Sequence, residues 1–213
     1  AVSVGEVRAA QGLIQRLHRD AAGRSILVTT TTPTGRDIAQ RLFGQSASCH
    51  YLPYDLPGAV KRFLNAVQPA VAVIMETEIW PNLYHQLHQR GVPLLLLNAR
   101  LSRASVNGYL RFPRLSRAAI RCVDRIAAQS EEDARRFARL GASQQQLRIA
   151  GNLKFDMQLP NDFSDRVAVL KNRLGSGRLI WVAGSTHGGE EIRVLDAHRR
   201  ILQLHTDALL LMV

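Results

Sequence analysis

At 213 residues and 46% hydrophobic content, the chain can bury a full core as one large domain or two small ones, domains running to roughly 100–200 residues. Its 28 basic and 17 acidic residues leave a net charge of +11, with Lys61, Lys154 and Lys171 the only lysines; the surplus favours an anionic partner (nucleic acid, acidic membrane surface or phosphorylated substrate), or is a solvated basic surface. No apolar run approaches the ~20 residues of a membrane span, no signal-peptide pattern opens the sequence, and Cys49 and Cys122 lack CxxC spacing or a neighbouring His pair, which argues against a metal or redox site and for two buried thiols.

The sequence opens on Val2-Ser3-Val4-Gly5-Glu6, an apolar pair, a small polar residue, a glycine to turn the backbone and a carboxylate at the mouth of a helix. Beyond it, apolar runs over 26–30, 49–52, 71–75, 93–97, 125–128 and 147–150 read as strands. Helical periodicity covers 7–21, 35–43, 58–67, 79–89, 112–122 and 131–140. Leu94-Leu95-Leu96-Leu97 is apolar on both faces, as in a parallel sheet covered by helices on each side. Strict alternation of strand and helix predicts a doubly wound α/β domain. After a polar stretch over 152–164 the rhythm restarts with a helix over 165–174, a strand over 179–183, a helix over 189–203 and a strand over 208–213. The expected boundary is near residue 160, giving two Rossmann-like units over 1–160 and 161–213, the second incomplete. No initiator Met precedes the first turn, and the closing run Ala208-Leu-Leu-Leu-Met-Val213 stops without a turn, so truncation at both ends is expected.

Ligands of open α/β sheets bind outside the carboxyl ends of the strands, and polar residues crowd there. Ser3 with Glu6 makes a capping box contributing about 1 kcal/mol, yet Glu6 at a helix mouth also suits a general base, kept ionised by the helix dipole. The 29–35 loop, with Thr32, Thr34 and Gly35, suits an anion or sugar hydroxyl or a Pro-directed cap. Glu76 and Glu78, in Glu76-Thr77-Glu78-Ile79-Trp80-Pro81-Asn82, directly follow an apolar strand; capping and solvation explain one carboxylate better than two. Arg100 suits a bidentate grip on phosphate or carboxylate, with an ion pair to Glu76 or Glu78 as the alternative. Lys154 lies at the expected interdomain crossing. Gly184, Ser185, Thr186, His187 and Glu190 stand at the second unit's strand-to-helix turn, where small residues and a helix N-terminus favour a phosphate; the turn is neither a Walker A loop nor GxGxxG.

In that order, Ser3-Val4-Gly5-Glu6, Thr-Thr-Pro-Thr-Gly, Tyr51-Leu52-Pro53-Tyr54-Asp55, Glu76-Thr77-Glu78-Ile79-Trp80-Pro81-Asn82, Asn98-Ala99-Arg100-Leu101-Ser102, Gly151-Asn152-Leu153-Lys154-Phe155-Asp156 and Gly184-Ser185-Thr186-His187 resemble the motifs of bacterial 3-deoxy-D-manno-octulosonic acid (Kdo) transferases along the whole chain. The resemblance implies a GT-B-like glycosyltransferase of lipopolysaccharide assembly, with an acceptor-side first domain and a nucleotide-sugar-binding second one. Such an enzyme moves Kdo from CMP-Kdo to a lipid A precursor at the cytoplasmic face of the inner membrane, against an anionic lipid surface. By the same likeness Glu6 is the base, and the Gly184–His187 turn with Glu190 serves the donor nucleotide. Thr32, Thr34, Gly35, Glu76, Glu78, Arg100 and Lys154 then face substrate, and neither a cofactor nor a metal takes part. The family also carries an N-terminal anchor and a long C-terminal portion absent from this sequence, so the 213 residues alone are expected to be inactive or nearly so.

Two rivals stand beside this reading. One is another GT-B nucleotide-sugar enzyme, a hexosaminyltransferase or an epimerase, which the ordered N-terminal motifs disfavour. The other is a non-catalytic basic module binding anionic lipid or nucleic acid, supported by the net charge and the Arg-rich 111–121 stretch. Nucleic acid is not expected as a partner, because the aromatic residues are not interleaved with that charge as a stacking platform requires.

Overall fold

Every strand pairing among the described residues is parallel. The computed structural model describes residues 4–20, 25–153, 162–175 and 177–213, and the chain divides into two compact units, Ala1–Gln158 and Leu159–Val213. The first unit runs α1 (Val4–Ala9), α2 (Gln11–Asp20), β1 (Leu27–Thr30), α3 (Pro33–Phe43), β2 (Ser48–Tyr51), α4 (Pro57–Val67), β3 (Ala72–Met75), α5 (Pro81–Gln89), β4 (Leu94–Ala99), α6 (Arg103–Tyr109), α7 (Pro113–Arg121), β5 (Arg125–Ala128), α8 (Glu131–Arg139) and β6 (Leu147–Ile149). Its strands form two hydrogen-bonded sheets, β1-β2 and β3-β4-β5-β6. The α/β reading from alternating apolar runs therefore holds.

Side chains rather than ladder bonds link the two sheets. One core cluster packs Val60 and Leu64 of α4, Tyr84 and Leu87 of α5, Leu94 and Leu96 of β4, Ile126 of β5 and Phe137 of α8. The other packs Val7 of α1, Val28 of β1, Phe43 of α3, Cys49 of β2 and Met75 of β3, with Leu97 and Leu153 against it. Met75, the last residue of β3, and Leu97 of β4 thus pack the β1-β2 layer onto the larger sheet. The expected strand Leu94-Leu95-Leu96-Leu97 is the inner strand β4, fully buried at Leu94 and Leu96.

Proline opens α3, α4, α5 and α7, where its fixed φ fits a helix start and its missing N–H costs no hydrogen bond. Two expectations need correction. The helix expected over 7–21 is two helices, and it starts at Val4, so Gly5 lies inside the first turn rather than in a turn before it. The Ala10 amide bonds the Glu6 carbonyl at 3.0 Å and the Ile14 amide bonds Ala10 at 2.9 Å, keeping the chain helical in course across the joint. Helix α6 falls in a stretch to which the apolar periodicity assigns no element, Ser105, Asn107 and Gly108 being poor helix formers; it exists because Ser102 accepts from the Ser105 amide at 3.0 Å and Val106 is buried in the core. Cys49 is buried and Cys122 half-buried, and burial raises both thiols above their ordinary pKa.

The second unit contains α9 (Phe163–Leu174), β7 (Ile180–Ala183), α10 (Glu190–Leu204) and β8 (Leu209–Met212). Trp181 of β7 donates its indole N–H to His198 of α10 at 3.2 Å. No residue of α9 or α10 is buried within the chain.

Candidate active site

Glu6 sits in the first turn of α1 with 7% of its surface exposed. Its neighbour Val7 is wholly buried in the core cluster that includes Val28 and Met75, and the Glu6 charge acts on Glu78 in the turn after β3. Ser3, read as its capping partner, lies outside the described residues.

The acidic turn after β3 is held from three directions. Glu76 has a left-handed backbone (φ 59°), and its amide completes the ladder to the Leu97 carbonyl at 2.9 Å. The Tyr84 hydroxyl donates to the carbonyl of Glu78, and the Tyr109 hydroxyl donates to that of Thr77 at 3.4 Å. Asp55 supplies the third hold. Trp80, at the N-cap of α5, makes no side-chain capping bond; Asp55 instead accepts from the amides of Asn82 and Leu83 at 2.9 and 2.8 Å. A remote carboxylate thereby does the work of an N-cap. The Tyr51–Asp55 and Glu76–Asn82 motifs form one structural unit.

Electrostatically, Glu78 belongs with Glu6. Burial raises the Glu78 carboxyl above its ordinary pKa, the Glu6 charge raises it further, and a hydrogen bond with the Trp80 side chain partly opposes both. Tyr109 is raised in turn, by burial and then by Glu78, and the buried Tyr84 is pushed far up, mainly by burial. A carboxylate pair in one field, with one member biased toward its protonated form, is the arrangement proton-transfer sites use.

Asn98, at the end of β4, is also left-handed (φ 52°) and 2% exposed. Its Oδ1 accepts from the Leu153 amide at 3.0 Å and its carbonyl accepts from Gln129 at 3.0 Å. That ties the Gly151-Asn152-Leu153 turn to β4; Lys154, the next residue, lies outside the described residues. Arg100 is exposed, and no ion pair between described residues joins it to Glu76 or Glu78. The ion-pair alternative for Arg100 is therefore not formed. The Leu101 backbone beside it is clamped by α8: its amide donates to the buried Asp133 at 2.9 Å and its carbonyl accepts from Arg136 at 2.9 Å.

Around β1, Thr32 caps α3 by accepting from the Gly35 amide at 3.2 Å. Gly35 is buried and Thr34 exposed. In the second unit, Gly184, Ser185, His187 and Glu190 are exposed and Thr186 is half-buried. Ser185 is left-handed (φ 58°), and its amide bonds the Val213 carbonyl at 2.9 Å. The His187 amide donates to the Glu190 carboxylate at 2.9 Å, and the Gly189 amide to Glu191 at 3.0 Å. Two amides at the mouth of α10 are thus satisfied by the chain's own carboxylates. Glu190 acts here as the turn's internal cap.

Within the first unit the structure brings together Glu6, Glu78 and the turn carrying Glu76, all at the sheet's carboxyl edge. Sequence reasoning gave no role to Tyr84, Tyr109, Asp133 or Asn98, and quoted Asp55 without one. Only the Pro81 helix start, which leaves α5 without a side-chain cap from Trp80, hinted that a cap must come from elsewhere. Among the described residues, no group of three or more His, Cys, Asp or Glu is placed to hold a metal ion, and no helix is long and apolar enough to cross a membrane.

The fold matches solved structures. A UDP-GlcNAc 2-epimerase from Neisseria meningitidis, bound to UDP-GlcNAc, superposes with a TM-score of 0.68 at 10% identity, over 99% of this chain and 62% of that one. The UDP-GlcNAc 2-epimerase of Methanocaldococcus jannaschii gives 0.65 at 11% identity, over 99% and 63%. At such identities the likeness is one of fold, here GT-B-like. Sequence relatives are more specific. The chain is 40% identical over its whole length to the 3-deoxy-D-manno-octulosonic acid transferase of Haemophilus influenzae, covering 50% of that protein. It is 38% identical to the Bordetella pertussis transferase of the same name over 93% of its length, covering 48% of it. The chain spans about half the length of these curated relatives. The family described as 3-deoxy-D-manno-octulosonic-acid transferase (kdotransferase) matches residues 1–157, the segment that carries Glu6, the acidic turn and their supports, and the chain belongs to that family.

Proposed function

We propose that the full-length protein carrying this sequence is an inverting glycosyltransferase of lipopolysaccharide biosynthesis, moving Kdo from CMP-Kdo to a lipid A precursor at the cytoplasmic face of the inner membrane. The observation that carries the reading is the buried Glu6, in one electrostatic field with Glu78 at the carboxyl edge of a parallel sheet. Family membership supplies the chemistry to be expected there.

In this mechanism Glu6 accepts the proton of the acceptor hydroxyl as its oxygen attacks the anomeric carbon of Kdo. The bond from that carbon to the phosphate oxygen of CMP breaks on the opposite face, and its electron pair leaves with CMP. Glu78, whose carboxyl pKa is raised by burial and by the Glu6 charge, shares the field of that base. Arg100 and Lys154 serve the phosphate or carboxylate groups of the substrates, with Thr32, Thr34, Gly35 and Glu76 lining the acceptor side. The Gly184–His187 turn, with Glu190, serves the donor nucleotide. For its amides to receive a phosphate, the Glu190 and Glu191 carboxylates must swing away from His187 and Gly189.

A donor screen tests the reading. Full-length protein with a lipid A precursor is offered CMP-Kdo or UDP-N-acetylglucosamine, and released nucleotide and glycolipid product are measured. Kdo transfer from CMP-Kdo is expected. Turnover of the UDP-sugar without Kdo transfer would replace this reading with the epimerase or hexosaminyltransferase one.

A further inference from the structure

From Arg100 to Val123 the sequence holds six arginines and no acidic residue. The structure folds most of this stretch into α6, a tight turn and α7. Helix α7 turns Ser116, Ala119 and Ile120 to the interior. Arg114, Arg117 and Arg121, spaced i, i+3 and i+7, then fall on the opposite, exposed face. They line a shallow depression of about 330 Å³ together with Pro113 and Ala118. Beside them Phe112 and Leu115 are 68% and 55% exposed.

This charge is not neutralised within the described residues. No ion pair between them uses Arg111, Arg114, Arg117 or Arg121, whereas Arg135 and Arg136 of α8 pair with Glu131, Glu132 and Asp133. Guanidinium groups grip phosphate in bidentate fashion. Bulky apolar side chains beside a basic face enter the boundary between headgroups and acyl chains. Phe112 is the one aromatic residue on this surface, too few for the base stacking that single-stranded nucleic acid requires. Position adds to the argument: Tyr109, the last residue of α6, donates its hydroxyl to Thr77 in the acidic turn. The basic corner therefore adjoins the edge that carries Glu78.

We propose that the α6–α7 corner docks on an anionic bilayer, with Arg111, Arg114, Arg117 and Arg121 on the lipid phosphates and Phe112 and Leu115 in the headgroup boundary. The proposal rests on the reading of a membrane-borne acceptor. Docking at this corner sets the acidic turn close to the headgroup layer where such an acceptor's sugars lie.

The test is co-sedimentation of the chain with vesicles of phosphatidylcholine alone or mixed with phosphatidylglycerol. Anionic vesicles should bind it and neutral ones should not. Replacing Arg111, Arg114 and Arg121 with alanine should weaken binding on the order of a hundredfold, each basic residue near the surface being worth about 1 kcal/mol. Removing Arg41, Arg62 and Arg193 instead, an equal change in net charge, should weaken it far less. Phe112→Ser with Leu115→Ser should also weaken binding. All these positions are exposed, and unchanged circular dichroism and melting confirm that each variant folds. Equal binding to both vesicle types, an equal loss from the control triple, or tight salt-sensitive RNA binding without vesicle binding overturns the proposal. Kdo transfer to a detergent-dispersed acceptor, measured separately with full-length protein, keeps the two readings apart: vesicle binding without transfer sinks the functional reading alone, and transfer without vesicle binding sinks the docking alone.

Discussion

The Glu6 carboxylate, in the first turn of α1, raises the pKa of Glu78 in the turn after β3, adding to the effect of burial. Removing that charge should release part of the shift. In Glu6→Gln the Glu78 carboxyl, followed by NMR titration, is expected to titrate lower than in the parent, though still above an ordinary glutamate because burial remains. An unchanged titration would mean that the two groups do not share a field.

The same shift makes stability depend on pH. A carboxyl whose folded pKa exceeds its unfolded one binds more protons in the native state, so its contribution is present below the unfolded pKa and is lost as pH rises toward the folded value. Glu78→Gln cannot ionise and should escape this loss. The gain in stability of Glu78→Gln over the parent is expected to grow as pH rises from the ordinary carboxylate range, and to shrink at lower pH. Urea unfolding across that range measures it, and a gain that grows toward acid would refute the assignment.

Asp55 caps α5 from a distance, through the amides of Asn82 and Leu83. Asp55→Ala should cost about 1–2 kcal/mol of stability, in line with lost caps elsewhere. Asp55→Asn, which keeps an acceptor oxygen, should cost less. Because α5 begins directly after the acidic turn, Asp55→Ala should also change the titration of Glu78. A loss of stability with no such change would make Asp55 a cap alone.

Asn98 combines a left-handed backbone with the bond to Leu153. Asn98→Gly keeps the conformation accessible, loses the bond to Leu153 and removes the buried, unpartnered Nδ2, so the net cost is expected at about 1 kcal/mol, the low end for an unpaired amide. Asn98→Val adds the strain of a β-branched residue at positive φ and should cost more than the glycine by about 1–2 kcal/mol. Equal losses in urea unfolding would show that the backbone conformation carries no strain.

Most of the layout was legible because apolar runs such as Leu94–Leu97 admit one environment, the inside of a parallel sheet. The expected strands match those observed to within a residue or two, and α6 escaped because its stability comes from Ser102 and Val106 rather than from helix formers. At the site, Glu6 could be singled out by its place at a helix mouth and the acidic turn by its place directly after an apolar strand. Which carboxylate neighbours which could not, since proximity of Glu6 to Glu78 depends on Val7 packing into the core cluster that includes Val28 and Met75, a long-range association without local signature. The supporting roles of Tyr84, Tyr109, Asp55 and Asn98 were hidden for the same reason. Tyr109, Asp55 and Asn98 each bond backbone far away in sequence, Tyr84 reaches back across the start of α5 to Glu78, and nothing local distinguishes such a residue from a solvated one.

The most direct test of the account is Glu6→Gln in full-length protein, with Kdo transfer and CMP-Kdo binding measured separately. The account predicts transfer reduced by about 10²–10⁴-fold, the usual worth of a general base, with donor binding and melting temperature close to the parent's. Transfer near the parental rate, or a loss of transfer matched by a parallel loss of folding, would contradict it and leave Glu6 a structural residue at the start of α1.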